Sequence, residues 1–240
     1  MEMVTTEVKP PVKYAFTQDW FTRHVAFWEP LLKMVKPTKI LEVGSFEGRS
    51  TVWLIERCIQ YGPLNLVCID SWTGGEEHVG IDFNEIEDRF NNNITLAVTN
   101  PNLPNPVDVK KMKGWSHEVL ASLLLDPNQE KFDLIYIDGS HQAADVLLDA
   151  VMSFKLLRVG GVMIFDDWLI TNWEEGQEDY DLLHHPQIAI KAFMTVYGDK
   201  IKKLNFKTTD KNGNLYDVED MMLEKHGERL YQMYATKIAE

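Results

Sequence analysis

The sequence predicts a doubly wound α/β domain built on a mostly parallel sheet, and three observations carry that prediction. Short apolar runs recur at residues 40–43, 64–70, 132–138 and 160–166. Each is apolar on both faces, as strands covered by helices on two sides must be. Stretches with helical spacing separate the runs, and this alternation is the signature of a doubly wound sheet. A chain of 240 residues, 45% of them apolar, can bury such a core in one domain without staples.

The elements follow in order. Pro10 and Pro11 keep the first segment extended. After Thr17, a good N-cap, apolar residues recur at Phe21, Val25, Trp28, Leu32 and Val35. That spacing gives one helix face, or a helix pair broken near Pro30, laid over the sheet. The run 40–43 ends in Gly44-Ser45-Phe46-Glu47-Gly48 and leads into a helix over 49–60. A third strand should close at Lys113, before Gly114-Trp115-Ser116-His117-Glu118, with Ser116 as N-cap of the helix through Leu123. The helix after Asp138 shows its face at Val146, Ala150, Phe154 and Leu157, and Gly160-Gly161 should end it. Residues 166–181 are rich in carboxylates and carry Trp168, Trp173 and Tyr180, which suits a loop or lid before a helix over 187–197. Residues 204–206 and 215–218 read as a terminal antiparallel hairpin about Lys211-Asn212-Gly213.

Composition narrows the partners. With 24 basic against 37 acidic residues the net charge is −13, which repels nucleic acid phosphates and anionic lipid. Cys58 and Cys68 fit neither a C-x-x-C pair nor a disulfide framework. The first residues hold no apolar signal core, and no apolar run reaches the roughly 18 residues a membrane span needs. The expectation is a soluble, cytoplasmic protein with no nucleic acid and no membrane partner.

The glycine loop points to a ligand. Its spacing is G-x-x-x-G, not the G-x-G-x-x-G of a dinucleotide site, and Glu42 and Glu47 disfavour a phosphate beside it. They suit a cationic or zwitterionic ligand, and Asp70 at the end of the second strand suits ribose hydroxyls. Glu42-x-Gly44-x-x-x-Gly48 with Asp70 resembles the class I S-adenosylmethionine-dependent methyltransferases over residues 40–167. The resemblance implies a seven-stranded, Rossmann-like sheet. It also implies cofactor contacts from Glu42, Gly44, Ser45, Gly48, Ser50, Asp70, Ser71, Trp72, Trp115, Ser116 and Asp138. In that frame the chain is one domain, with an arm and covering helices over 1–38 and a cofactor-binding core over 39–167. An acidic aromatic lid over 168–186 and a terminal helix and hairpin over 187–240 complete it.

Three aspartates carry the chemistry. Asp138, Asp166 and Asp167 follow apolar runs, and ligands of open parallel sheets bind at the carboxyl ends of strands. Adjacent residues in a regular strand face opposite ways, so Asp166 and Asp167 converge only where the strand yields to loop. Two unit charges ~4 Å apart repel by about 4 kcal/mol at an effective dielectric near 20. Three converging carboxylates therefore need a cation or protons. Oxygen ligands favour Mg²⁺, with Mn²⁺ or Ca²⁺ as substitutes. Residues 137–141 and 160–167 together look like the metal-dependent catechol-type and macrolide-sugar O-methyltransferases, which implies Asp138, Asp166 and Asp167 as metal ligands. His141 stands where the catechol-type enzymes carry a lysine, and Ser140 where the sugar enzymes carry an acid. The chain departs from both patterns at its base, and His141 is the chemically suitable substitute.

The implied activity is divalent-metal-dependent O-methylation of a hydroxyl on a sugar, polyol, glycan or catechol-like molecule. His141 and Asp138 are its catalytic residues, and homo-oligomerisation is left open. Two other readings stand beside it: a metal-independent methyltransferase of the same fold, and a non-catalytic module that binds S-adenosylmethionine. A nicotinamide oxidoreductase is third, and the missing third glycine counts against it.

Overall fold

A computed structural model describes residues 13–75, 78, 80–168, 184–204, 207–209, 215–217 and 232–240. The main sheet has seven strands in the order β3-β2-β1-β4-β5-β9-β6. Its parallel part is β1 (Lys39–Val43), β2 (Leu64–Asp70), β3 (Val107–Lys113), β4 (Phe132–Ile137) and β5 (Leu157–Phe165). The chain reverses sheet direction on either side of β1, so the ends of β1 and β4 meet at the crevice where ligands of such sheets bind. β6 (Ile201–Lys203) and β9 (Met233–Lys237) complete the sheet, with β9 antiparallel to both β5 and β6.

Helices α1 (Val25–Val35), α2 (Arg49–Cys58) and α3 (Phe83–Val98) cover one face. The other carries α4 (Ser116–Leu125), α5 (Ala143–Leu156) and α6 (Pro186–Val196). Strand residues alternate between these two cores. Leu134 and Tyr136 join the first and Ile135 and Ile137 the second, while β5 divides Val162 and Ile164 from Met163 and Phe165 in the same way. That period of two decides which way each residue beyond a strand end begins to point.

One open alternative is decided and three local expectations are corrected. Of the single helix and the pair broken near Pro30, the single helix holds: α1 runs unbroken through Pro30 after a short 3₁₀ turn at Thr22–His24. Thr17 caps no helix, because its backbone N–H and hydroxyl both donate to the buried carboxylate of Glu47. Gly160 and Gly161 do not end a helix. They lie inside β5, where the register against β4 slips, and a Cβ on Gly161 would sit 3.0 Å from the carbonyl oxygens of Arg158 and Asp133. The terminal hairpin pairs β7 (Lys207–Thr209) with β8 (Leu215–Asp217) as a separate two-stranded sheet, starting later than the apolar triplet suggested. Its expected turn at 211–213, like Trp173 and Tyr180, lies outside the described residues.

Candidate active site

The glycine loop is braced by its own chain. Gly44 and Gly48 take left-handed backbone, with φ of 87° and 78°. A Cβ on Gly44 would come within 1.9 Å of the Asp138 carbonyl oxygen, so glycine there lets the ends of β1 and β4 touch. Phe46, between them, also has a positive φ of 47°. Asp70 holds the loop from β2. Its Oδ2 accepts the backbone N–H groups of Ser45 and Phe46 at 2.9 and 2.8 Å, and its Oδ1 accepts that of Trp72 at 2.7 Å.

Glu42 is wholly buried and receives hydroxyl donors from Ser45, Ser50 and Thr51. Burial pushes its carboxyl above the usual range, and those donors pull against the shift. Its oxygens are spent on α2 and the loop, so Glu42 shapes the turn from beneath. Ser50 is likewise spent on Glu42. Glu47 is also buried, held by Thr17 and by the Arg89 Nε at 2.6 Å. Asn93 adds a clasp on the backbone of Ala15 and Glu47. The segment before α1 is thus tied to the glycine loop.

The remaining expected cofactor residues divide. Trp72 turns inward: it is 3% exposed, its indole N–H donates to the Phe46 carbonyl, and it packs on Phe90 under the Lys111 ammonium. Ser71 stays near the surface and pairs with Thr73. Trp115 is exposed at the N-cap of α4, so it is not a core residue, and Ser116 is the first helical residue, not the cap.

The three aspartates do converge. One carboxylate oxygen from each of Asp138, Asp166 and Asp167 lies within 4.8 Å of the others. Backbone bonds seat two of them, from Asp138 N to the Val43 carbonyl and from Asp166 N to the Ile137 carbonyl. Asp138 and Asp166 carry on the face of Tyr136 and Ile164, toward α1. Asp167 would point away in a continuing strand. But β5 ends at Phe165, and Asp167 turns through a φ of 55°, which brings its side chain back to the cluster.

The contacts around the cluster are specific. The Tyr136 hydroxyl lies 2.8 Å from Asp138 Oδ2 and 2.8 Å from Asp166 Oδ2. His141 Nε2 lies 2.6 Å from Asp167 Oδ2. Asp166 Oδ1 is sealed from solvent and has no hydrogen-bond partner. His24 Nε2 approaches it only to 3.9 Å. Burial drives His24 down to about 4, so it is neutral at pH 7 and supplies no cation. Asp138 is pushed well above the carboxylate range by burial and by Asp166 and Asp167. Asp166 is raised by burial and by Asp167. A donor set of three crowded carboxylates, one with an orphaned buried oxygen, fits a hard divalent cation. Sequence reasoning passed over Tyr136 and His24, because both fall on apolar periods and read as core.

Comparison with known proteins places the chain. A family model described as a methyltransferase domain matches residues 41–168, more than half of the sequence. The chain belongs to this methyltransferase family. Among solved structures, the O-methyltransferase from Bacillus cereus in complex with SAH aligns with 91% of this chain and 82% of its own, at 22% identity and a TM-score of 0.56. The O-methyltransferase TomG from Streptomyces achromogenes, in complex with SAM, aligns with 91% of this chain and 81% of its own, at 17% identity and a TM-score of 0.59. At these identities the likeness is one of fold, and it agrees with the Rossmann-like, mostly parallel seven-stranded sheet. An uncharacterized protein of Acanthamoeba polyphaga mimivirus is 27% identical over 134 residues, which is 55% of this chain. The match spans about half of that relative, 52% of its length.

Proposed function

We propose that this methyltransferase-family chain is an enzyme that transfers a methyl group from S-adenosylmethionine to a hydroxyl oxygen, with help from a divalent cation. The observation that carries the metal reading is the buried, unpartnered Asp166 Oδ1 within a trio of converging carboxylates. A divalent cation at Asp138, Asp166 and Asp167, with Mg²⁺ the best match to oxygen donors, would lower the pKa of an acceptor hydroxyl and fix its direction. The sulfonium donor would lie over Gly44–Gly48; that the two structural relatives were solved with SAH and SAM supports the choice of cofactor.

The residues divide the work. Asp70 keeps the loop open by holding the Ser45 and Phe46 N–H groups, and it stands where a ribose would lie. Ser71, Trp115 and Ser116 would contact the rest of the nucleoside, as the family resemblance implies. The N–H groups and carbonyls of the loop hold it rigid, so most of the rate gain falls to positioning. His141 is the group suited to take the acceptor proton. Asp167, 2.6 Å from its Nε2, would orient the ring and stabilise its charged form.

On the α6 side of Trp168, a cavity of about 380 Å³ is lined by Trp168, Lys191, Met194, Thr195, Lys203 and Met233. It meets the chain beside Asp167 through Trp168 but opens on the α6 face, opposite that of Tyr136; the acceptor proposed for the cluster itself is a sugar, polyol or catechol-like molecule. No helix among the described residues is long and apolar enough to cross a membrane. Cys58 and Cys68 are buried free thiols, which supports a reducing, cytoplasmic setting. The reading treats the whole chain as one methyltransferase domain.

The decisive experiment is calorimetric titration of S-adenosylhomocysteine with and without Mg²⁺, followed by a methyl-transfer screen over diols, catechols and sugars. The expected result is cofactor binding in both conditions and turnover only with the ion. Turnover that survives EDTA would select the metal-independent enzyme. Cofactor binding without turnover on any acceptor would select the non-catalytic module.

A further inference from the structure

Tyr136 occupies a position where its strand needs only an apolar ring. It is 1% exposed, and its ring meets Trp28 edge-on at a centroid distance of 4.8 Å. Packing there is complete without the hydroxyl. Yet the hydroxyl touches Oδ2 of Asp138 and Oδ2 of Asp166, each at 2.8 Å. His141 makes the equivalent contact with Oδ2 of Asp167. On each of the three acids Oδ2 is thus engaged by a neighbour, and on Asp166 the second oxygen, Oδ1, is buried and unpartnered.

Coordination chemistry gives this arrangement a meaning. Mg²⁺ takes six oxygens in near-ideal octahedral geometry and binds carboxylates through single oxygens, keeping several waters. Ca²⁺ takes six to eight oxygens and readily accepts both oxygens of one carboxylate. A hydroxyl lodged between one oxygen of each acid, giving its single proton to one and standing between both and a cation, therefore acts against the larger ion.

We propose that Tyr136 is a positioning and selectivity residue of the cluster: its hydroxyl confines Asp138 and Asp166 to one metal-facing oxygen each and so favours Mg²⁺ over Ca²⁺. The inference rests on the metal reading above. It assigns no proton transfer to Tyr136, which acts through the two acids.

The test uses the full chain and its Tyr136→Phe variant, which keeps the ring against Trp28. Mn²⁺ serves as the probe, with the free ion followed by electron paramagnetic resonance while Mg²⁺ or Ca²⁺ is titrated in. In the parent protein Mg²⁺ should displace Mn²⁺ more effectively than Ca²⁺ does. In Tyr136→Phe the Mg²⁺ affinity should fall about 10- to 100-fold, the range for partners of metal ligands. Ca²⁺ should lose less, so the Mg²⁺-to-Ca²⁺ ratio drops by about tenfold or more. S-Adenosylhomocysteine affinity, measured in parallel, should stay unchanged and so report an intact fold. An unchanged ratio with Mn²⁺ still bound would overturn the role of Tyr136 alone. A parent protein that takes up no Mn²⁺ would overturn the metal reading, and this proposal with it.

Discussion

Two buried carboxylates on the same side of the sheet are treated in opposite ways. Glu42, in β1, is sealed from solvent and receives three hydroxyl donors, all from the loop and helix that follow it in sequence. Asp166, just past β5, shares one hydroxyl with Asp138 and keeps its other oxygen buried with no partner, beside two more acids. Burying a charged or polar group costs free energy unless hydrogen bonds or an opposite charge replace water. The chain supplies that replacement for Glu42 and withholds it from Asp166. A buried acid left that way must hold a proton or a cation, and the two further acids beside Asp166 are what favour the proposed cation there.

The strongest way to break this contrast is to remove the uncompensated acids. Asp166→Ala with Asp167→Ala should take metal-dependent turnover to background while S-adenosylhomocysteine binding, read by calorimetry, stays near the parent value. Turnover that persists would mean the trio is not the metal site. Next in size is His141→Ala. If the imidazole takes the acceptor proton, kcat should fall by roughly 10²- to 10⁴-fold. A loss under about threefold would leave His141 as a brace for Asp167 only.

How much of this was legible beforehand follows the same divide. The parallel strands and the glycine loop could be read because apolar runs and G-x-x-x-G spacing are local patterns. The three acids could be read because strand ends are where such sheets bind ligands. The bracing was not legible. Nothing local says that Glu42 would be met by Ser50 and Thr51 on the next helix, or that Thr17 would reach Glu47 instead of capping a helix. Tyr136 and His24 kept apolar periodicity, so pattern hid their polar atoms. Strands β6 and β9 were missed because a three-residue and a five-residue strand, paired antiparallel at the sheet edge, leave almost no periodic signal. Gly160 and Gly161 misled for a related reason, since glycine serves a strand irregularity as readily as a helix end.

A third buried acid sharpens the comparison through pH. Asp149 of α5 is 1% exposed, and neither of its oxygens completes a hydrogen bond. Burial and Asp145 raise it to about 7, while Ser116 and His117 lie near enough only to moderate the shift. The folded protein therefore holds a proton on Asp149 between roughly pH 4 and pH 7 that the unfolded chain has released. Stability from this residue falls as pH rises through that window. Asp149→Asn should remove the loss, gaining at most about 3 kcal/mol relative to the parent between pH 5 and pH 8. Urea denaturation at the two pH values measures it, and an equal difference at both would show that Asp149 is compensated after all.

The smallest effects test the contrast most directly, because one chemical change is made at both acids. Glu42→Gln replaces an acceptor by an amide N–H₂ that must face hydroxyls already aimed at it, and should cost about 1–3 kcal/mol. Asp166→Asn removes a buried charge next to Asp138 and Asp167 and offers Asp138 a donor. The metal-free protein should gain stability, by about 1 kcal/mol, and lose its Mn²⁺ affinity. Melting temperatures measured in EDTA decide the matter by sign alone. Should both variants lose stability equally, Asp166 would be as fully served by its own chain as Glu42, and the cluster would hold no place for an ion.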